Sequence, residues 1–466
     1  MKKAGEKMKS ENKKQLYAVL LAIINIILLY SIINFDYYEV PIILKVLAGL
    51  LVLVVSGYKL GELLNQNVWH GIVMFRSKKM IEEIDYIARR FEKIIVVLCD
   101  ITLIWGLGLL GSYILYKHSK KSIRRTLMIS LVGLFLLVFT LFYIAPIVSV
   151  LSMSVISGID YSTAIAESQE QMFDMMLDIS KILVVVGGYM MFFVFLLVYS
   201  SVMIIYNLIL TVMTGVQAPE PSAVMIIPGV SIPFFEGIIA MIILLAFHEL
   251  SHGFLARVAK VKLESVGVVL IGILPIGAFV EPNEKELEKR SVIEKVRTFM
   301  AGSGVNFIIL FISFLVFLIA EPYLSSQIDY NVVYYGNITE FKDAVVISVN
   351  DIPAKELNFS EIPYKKGDEV RVLTDRGEFI TFADEKNMIG IVQKTYFENS
   401  VAEFVFNLIA LCMVLNFFVA IFNLLPAFIF DGYKILESVF DKKYLKYINY
   451  LIILSILIQF LPWLWK

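Results

Sequence analysis

The chain of 466 residues is 58% hydrophobic and only 18% charged, with a mean hydropathy of +0.77. Soluble domains carry about a quarter charged residues, so this composition excludes an ordinary soluble enzyme and points to a polytopic membrane protein. The net charge of −1 supplies no basic field for nucleic acid, and none is expected as a partner. Cys99 and Cys412 both sit in apolar runs and read as small hydrophobes, not as a disulfide.

Apolar runs long enough to cross about 30 Å of hydrocarbon fall near 16–34, 39–57, 94–116, 127–150, 181–212, 234–258, 295–320, 401–423 and 447–465. Each is expected to be helical, because lipid offers no partner to an open backbone. The first follows a lysine-rich start, Lys2 to Lys14. It reads as a signal anchor with a cytoplasmic N-terminus, in the cell membrane. Segments 57–94 and 117–126 are both rich in Lys and Arg, yet only one span, 94–116, separates them. Either that span is re-entrant or one loop breaks the positive-inside rule. Further on, the 213–232 linker has no Lys or Arg and suits the outer face. Lys260, Lys262, the stretch Glu284–Lys295, Lys434 and Lys442–Lys446 suit the inside. The acidic stretch Asp160–Asp178 reads as a solvated amphipathic face.

Residues 322–400 break the membrane pattern. Charges return, and short strand-like runs (Ala344–Val349, Gly367–Leu373, Glu378–Phe382) alternate with turn signals such as Asn350-Asp351-Ile352-Pro353 and Asp375-Arg376-Gly377. The fold class is therefore an all-α polytopic membrane protein of about 8–9 transmembrane helices with a small β-rich insertion. Four regions follow: 1–213, a multi-span region of unknown role; 214–321; the insertion at 322–400; and 401–466. Gly106-Leu-Gly108-Leu-Leu-Gly111 fits a dinucleotide fingerprint but lies inside an apolar span without a βαβ unit. Close helix packing explains it better. His70 and His118 lie alone in charged loops and are assigned no metal.

Residues 246–254 read Ala-Phe-His-Glu-Leu-Ser-His-Gly-Phe. His248 and His252, four apart, share one helix face. Their nitrogens can reach one Zn²⁺ at about 2.0–2.1 Å, with Glu249 placed to take a proton from a water that the metal polarises. Two histidines and a glutamate inside an apolar span are costly unless they bind something. A catalytic zinc usually has three protein ligands and an open position. The candidate third ligand is Asp431, in Asn423-Leu-Leu-Pro426-Ala-Phe-Ile-Phe-Asp431-Gly432. Spacing alone fits equally an aspartate at a helix end in the interface.

Three motifs occur in one order: His248-Glu249-Leu250-Ser251-His252, then Gly302-Ser303-Gly304-Val305-Asn306, then Asn423 through Gly432. They resemble the zinc-binding helix, the Gly-x-x-x-Asn element and the Asn-x-x-Pro-x-x-x-x-Asp-Gly element of the site-2 protease family of intramembrane metalloproteases. The resemblance covers roughly residues 220–440 and extends to Ile227–Pro233 and Pro275–Glu281. Ser303 departs from the proline that many members carry. The resemblance implies one Zn²⁺ per chain, held by His248, His252 and Asp431, with Glu249 as general base. Asn306 and Asn423 would be polar supports, holding substrate or a developing oxyanion, although interhelical packing explains such asparagines too. Asn416, on the face of Asn423, reads as packing. Gly302, Pro426 and Gly432 would shape the motifs. The family's substrates are single-span membrane proteins, already shortened by a site-1-type protease, taken from the lipid bilayer.

By the same resemblance, 263–283 is a membrane-entering β-hairpin whose edge binds extended substrate; a short connector is the plain alternative. The insertion resembles a PDZ-like module through Val346–Pro353 and Gly367–Val372, without a clear carboxylate-binding loop, so a lid or size filter fits as well. Three rival functions remain: a metal transporter using the same ligands, with Asp100 as a further ligand; an inactive relative acting as a chaperone; and a soluble metalloprotease tethered to the membrane.

Overall fold

The computed structural model describes residues 2–33, 42–64, 66, 68–157, 173–215, 226–334, 338–341, 344–356, 365–383 and 389–465. Residues 160–172 of the acidic stretch and 216–225 of the linker lie outside them. In chain order the elements are α1 (Lys2–Ile33), α2 (Ile42–Leu64), β1 (Val68–Trp69), β2 (Ile72–Arg76), α3 (Lys78–Arg90), α4 (Glu92–His118), α5 (Ile123–Phe139), α6 (Ala145–Ser157), α7 (Phe173–Thr214) and α8 (Phe234–Val258). There follow β3 (Leu263–Ile271), β4 (Leu274–Pro282), α9 (Glu284–Glu288), α10 (Val292–Ser325), β5 (Ile328–Tyr334), β6 (Val346–Val349), β7 (Ile352–Pro353), β8 (Glu369–Thr374), β9 (Gly377–Phe382) and β10 (Ile391–Phe397). The chain closes with α11 (Ser400–Phe422), α12 (Asp431–Glu437) and α13 (Lys442–Ile458).

Among the described residues, eight helices are long and apolar enough to cross a membrane, and Leu16–Ile32 is a shorter apolar helix. The protein is a multi-pass integral membrane protein, and the expected β-rich insertion is present. Within it, β7, β6, β8 and β9 form one antiparallel sheet, while β5 pairs with β10. Asn350 and Asp351 make the β6–β7 turn, both with positive φ, as Asn and Asp tolerate best.

The segment 263–283 is an antiparallel hairpin, β3–β4, turning at Gly272. It recruits two strands that the sequence had placed in a basic loop: β1 and β2 extend the sheet in the order β1-β2-β3-β4. The Ile72–Arg76 ladder onto Gly267–Ile271 fixes the N-terminal region to the later half of the chain. β4 ends the sheet and packs on α8, where a Cβ at Gly253 would meet Val280.

The puzzle of the two basic segments is resolved at Gly108. Its φ of +57° with ψ of −136° interrupts α4, a conformation that glycine adopts readily and side chains disfavour. Beyond it the chain doubles back. A Cβ at Gly111 would strike the Leu103 carbonyl, whereas residues eight apart in one continuous helix are separated by about 12 Å. Lys121, past the second arm, bonds Asp100 on the first. The first arm, 92–107, is about 24 Å long at 1.5 Å per residue, short of the roughly 30 Å core. α4 is thus a re-entrant hairpin, and both basic segments lie on one side.

The hairpin is held by charge and by close packing. Asp100 is fully buried and accepts from Arg297 Nε at 2.7 Å and Nη2 at 3.0 Å, as well as from Lys121. Removing one partner of such a buried group costs about 3–5 kcal/mol. The hairpin's tip meets a second broken helix: a Cβ on Gly108 would strike the Val184 and Val185 carbonyls of α7, itself interrupted at Gly188. Gly106 faces Met300, Phe307 and Leu424. The glycine pattern therefore serves close packing, as the sequence suggested. Trp105 stacks on Phe307 with centroids 5.3 Å apart, and Tyr189 lies between Phe307 and Phe417. The N-terminal region and the motif-bearing helices share one apolar core.

Cys99 and Cys412 are buried, whereas Lys79 and Lys120 are exposed. Lys79→Cys and Lys120→Cys should react with a membrane-impermeant maleimide from the same face of sealed vesicles. Labelling from opposite faces would show that α4 crosses.

Candidate metal centre

α8 presents His248 and His252 one turn apart, and α10 crosses behind them with the same spacing of four: Thr298, Gly302 and Asn306. Each makes a different contribution. The Thr298 carbonyl lies 2.7 Å from His252 Nδ1. A carbonyl only accepts, so Nδ1 carries the proton and the Nε2 lone pair faces inward. Gly302 supplies space, since a Cβ there would overlap Nε2 of both histidines. The Asn306 amide sits 3.0 Å from His248 Nδ1. With the amide nitrogen on that side, Asn306 Oδ1 is buried without a partner. Turning the amide over puts Oδ1 on a His248 Nδ1–H, which frees Nε2 of that ring as well.

The third group arrives from the loop after α11. Asp431 opens α12, with Phe430 as the preceding extended residue. Gly432 N–H donates to the Asn423 carbonyl at 2.7 Å, and a Cβ at Gly432 would collide with the Leu424 backbone. This fold of the loop carries Asp431 Oδ2 to 3.1 Å from His252 Nε2 and 3.7 Å from His248 Nε2, while the two Nε2 atoms are 3.4 Å apart. All three ligand atoms lie within 4.8 Å of one another in a largely buried setting. They form the one such group among the described residues. Two imidazole nitrogens and a carboxylate oxygen are the donor set of zinc, and their outer contacts are those that orient metal-bound histidines.

Glu249, beside His248, is partly buried. Pro426 is buried in the loop; the Asn423 side chain makes no hydrogen bond among the described residues, and its carbonyl is the group engaged. The Asn306 amide lies behind His248, on the side away from Asp431. Asn416 is fully buried and bonds back to the Cys412 carbonyl of its own helix. His70 is exposed at the β1–β2 turn, and neither it nor His118 joins a metal group. Asp100 is engaged by Arg297 and Lys121.

Sequence reasoning missed two contributors. Thr298 acts through its backbone and has no side-chain signature; only its spacing, four before Gly302, could have shown it. Lys434 places Nζ 3.7 Å from Asp431 Oδ1 and 5.5 Å from the Phe299 ring centre.

The sequence profile of peptidase family M50 matches residues 236–461. This bears out the resemblance to the site-2 proteases. An uncharacterized protein of Methanocaldococcus jannaschii is 29% identical over 236 residues, spanning 47% of this chain and 60% of that protein's length. No solved structure matches the chain. The matched M50 segment contains the histidine pair, the Gly-x-x-x-Asn helix, the insertion and Asp431. The re-entrant hairpin and strands β1 and β2 lie outside it.

Gly302 gives the sharpest test of this packing. Overpacking costs about 1–3 kcal/mol, so Gly302→Ala should weaken zinc binding about tenfold or more, by chelator competition on purified protein. Ser303→Ala, next to it, should leave zinc binding unchanged, because the Ser303 hydroxyl is buried without a partner.

Proposed function

We propose that this chain is an intramembrane zinc metalloendopeptidase that hydrolyses peptide bonds within or near the transmembrane segment of single-span membrane proteins. The observation that carries the reading is the convergence of His248 Nε2, His252 Nε2 and Asp431 Oδ2 on one point beside Glu249, inside a helix apolar enough to span the bilayer.

His248, His252 and Asp431 would hold the ion. When bound, Zn²⁺ supplies Lewis acidity, polarising a carbonyl and lowering the pKa of water toward about 7. The remaining chemistry belongs to the chain. The Glu249 carboxylate accepts the proton as water attacks the peptide carbonyl, then returns it to the leaving amine. The Thr298 carbonyl and the Asn306 amide hold the two imidazoles in the orientation the ligand set needs. Asn423 is proposed to face substrate, since its side chain is not otherwise committed. The open edge of β4, packed on α8, offers backbone groups to an unwound substrate segment by strand addition; a helical substrate would hide the carbonyl to be cut.

The transporter reading needs further ligands along a path. Asp100, the acid available for it, is neutralised by Arg297 and Lys121. Water and products reach the centre from the side of the basic segments. Arg257, near the C-terminal end of α8, bonds Asp85 of the basic α3, which puts that end of the histidine helix at this face. We place this face in the cytoplasm of a cell membrane by the positive-inside rule. A preceding cut by another protease is part of the proposal.

Glu249→Gln tests it. Co-expressed with a tagged single-span membrane protein, the wild type should cut within or near the span. The variant should lose about 10²–10⁴-fold in rate while accumulating and holding zinc equally. Equal cutting by both would remove Glu249 as the base.

A further inference from the structure

The loop that delivers Asp431 has no regular structure of its own. Its internal backbone bonds (Leu424 to Ile421, Leu425 to Phe422, Ala427 to Leu425, Phe430 to Ala427) are short-range. Leu425 and Ala427 pack against Ile452 of α13, with Phe193, Val194 and Leu197 of α7 around them. The tip is different. Phe428 and Ile429 point outward, 60% and 59% exposed, so no apolar seat fixes them. What does reach the tip is one polar group. Phe428 N–H donates to Asn449 Oδ1 at 2.7 Å. Among the described residues this is the one side-chain hydrogen bond that joins residues 424–430 to another element.

Asn449 lies in α13, which together with the short turn after it makes the apolar span Lys442–Trp463, and is only 8% exposed. Ile452, Ile453 and Ile456, which share its face of the helix, are apolar and pack on the loop. A buried amide there is costly unless it is used, and its oxygen is used on the loop, three residues before the third ligand. α12, which begins at Asp431, is only seven residues long; its start is also held by Gly432 N–H on the Asn423 carbonyl and by Phe430 against the Ile452 cluster.

We infer that Asn449 is a positioning residue for Asp431: its oxygen pins the loop tip and so holds Asp431 Oδ2 against the two imidazoles. The inference rests on reading His248, His252 and Asp431 as the ligand set, and it assigns a role in that centre to α13. Without the acceptor, Phe428 N–H loses the partner that ties it to α13. The tip then shifts to find another, and the carboxylate leaves the point that the histidines share.

The test uses full-length protein in detergent, with Zn²⁺ and Co²⁺ as probes. Asn449→Leu keeps the approximate size and removes the acceptor; Asn449→Asp keeps an acceptor oxygen. The leucine variant should bind Zn²⁺ about 10–100-fold more weakly, the usual cost of losing an outer-shell contact. Its Co²⁺ ligand-field absorption should shift. The aspartate variant should stay within about threefold of wild type and keep the wild-type Co²⁺ spectrum. Wild-type affinity in the leucine variant, or equal loss in both, overturns the assignment. Should the leucine variant fail to fold, hydrogen exchange on the wild type decides: slow exchange of the 424–430 amides, comparable with α11, supports the tie, and free exchange overturns it. His248→Ala is the control for the ligand reading. Zinc affinity unchanged in that variant would sink the metal centre, and the inference with it.

Discussion

Three polar groups converge inside an apolar helical core, and two of them are already committed on their outer sides. The Thr298 carbonyl occupies His252 Nδ1, and the Asn306 amide occupies His248 Nδ1. What remains of each ring is an Nε2 aimed at the other and at the Asp431 carboxylate. Burying a carboxylate beside two inward lone pairs is unfavourable unless a cation joins them. The rest of the architecture follows from that requirement. α8 and α10 must approach to the distance of a missing side chain, which is the role of Gly302. The loop after α11 must be bent and held, which falls to Gly432, Leu425, Ala427 and Asn449.

The N-terminal region supports the same constraint from behind. The re-entrant α4 runs beside the first half of α10. Asp100 grips Arg297 near the start of that helix, and Trp105 covers Phe307 one residue beyond Asn306. The helix that fixes both histidines is therefore braced on its far side by an ion cluster and an aromatic stack. α7 contributes Phe193, Val194 and Leu197 to the seat of the ligand loop. Spans whose role the sequence left open are structural neighbours of the centre, and β2 ties them to the β3–β4 hairpin at the edge of α8.

The parts legible in the sequence are those whose spacing is local. His248-Glu-x-x-His252 declares its geometry within one helical turn, and the insertion declares itself by returning charge and turn residues. Asp431 was evenly balanced on spacing alone, because 179 positions separate it from His252 and only folding brings them together. The strands β1 and β2 were hidden for the same reason: Val68–Arg76 lies within the basic segment 57–94 and looks like a connector until β3 offers it an edge. The doubled-back course of α4 left a trace, the two basic segments on either side of one apolar run, but the residue responsible, Gly108, was read only as packing. Thr298 acts through a backbone atom and Asn449 through one bond to a loop. Neither has a side-chain motif; for Thr298 the spacing of four before Gly302 is the one trace, and Asn449 leaves none.

The central claim is that two imidazoles and one carboxylate hold a single zinc ion with a position left open. X-ray absorption at the zinc edge of the purified full-length protein addresses this directly. The account predicts a nitrogen and oxygen shell at about 2.0–2.1 Å with scattering from two imidazoles, no sulfur, and one shell atom replaced when a small zinc-binding inhibitor is added. A sulfur distance near 2.3 Å, or a shell closed to added ligand, would contradict it.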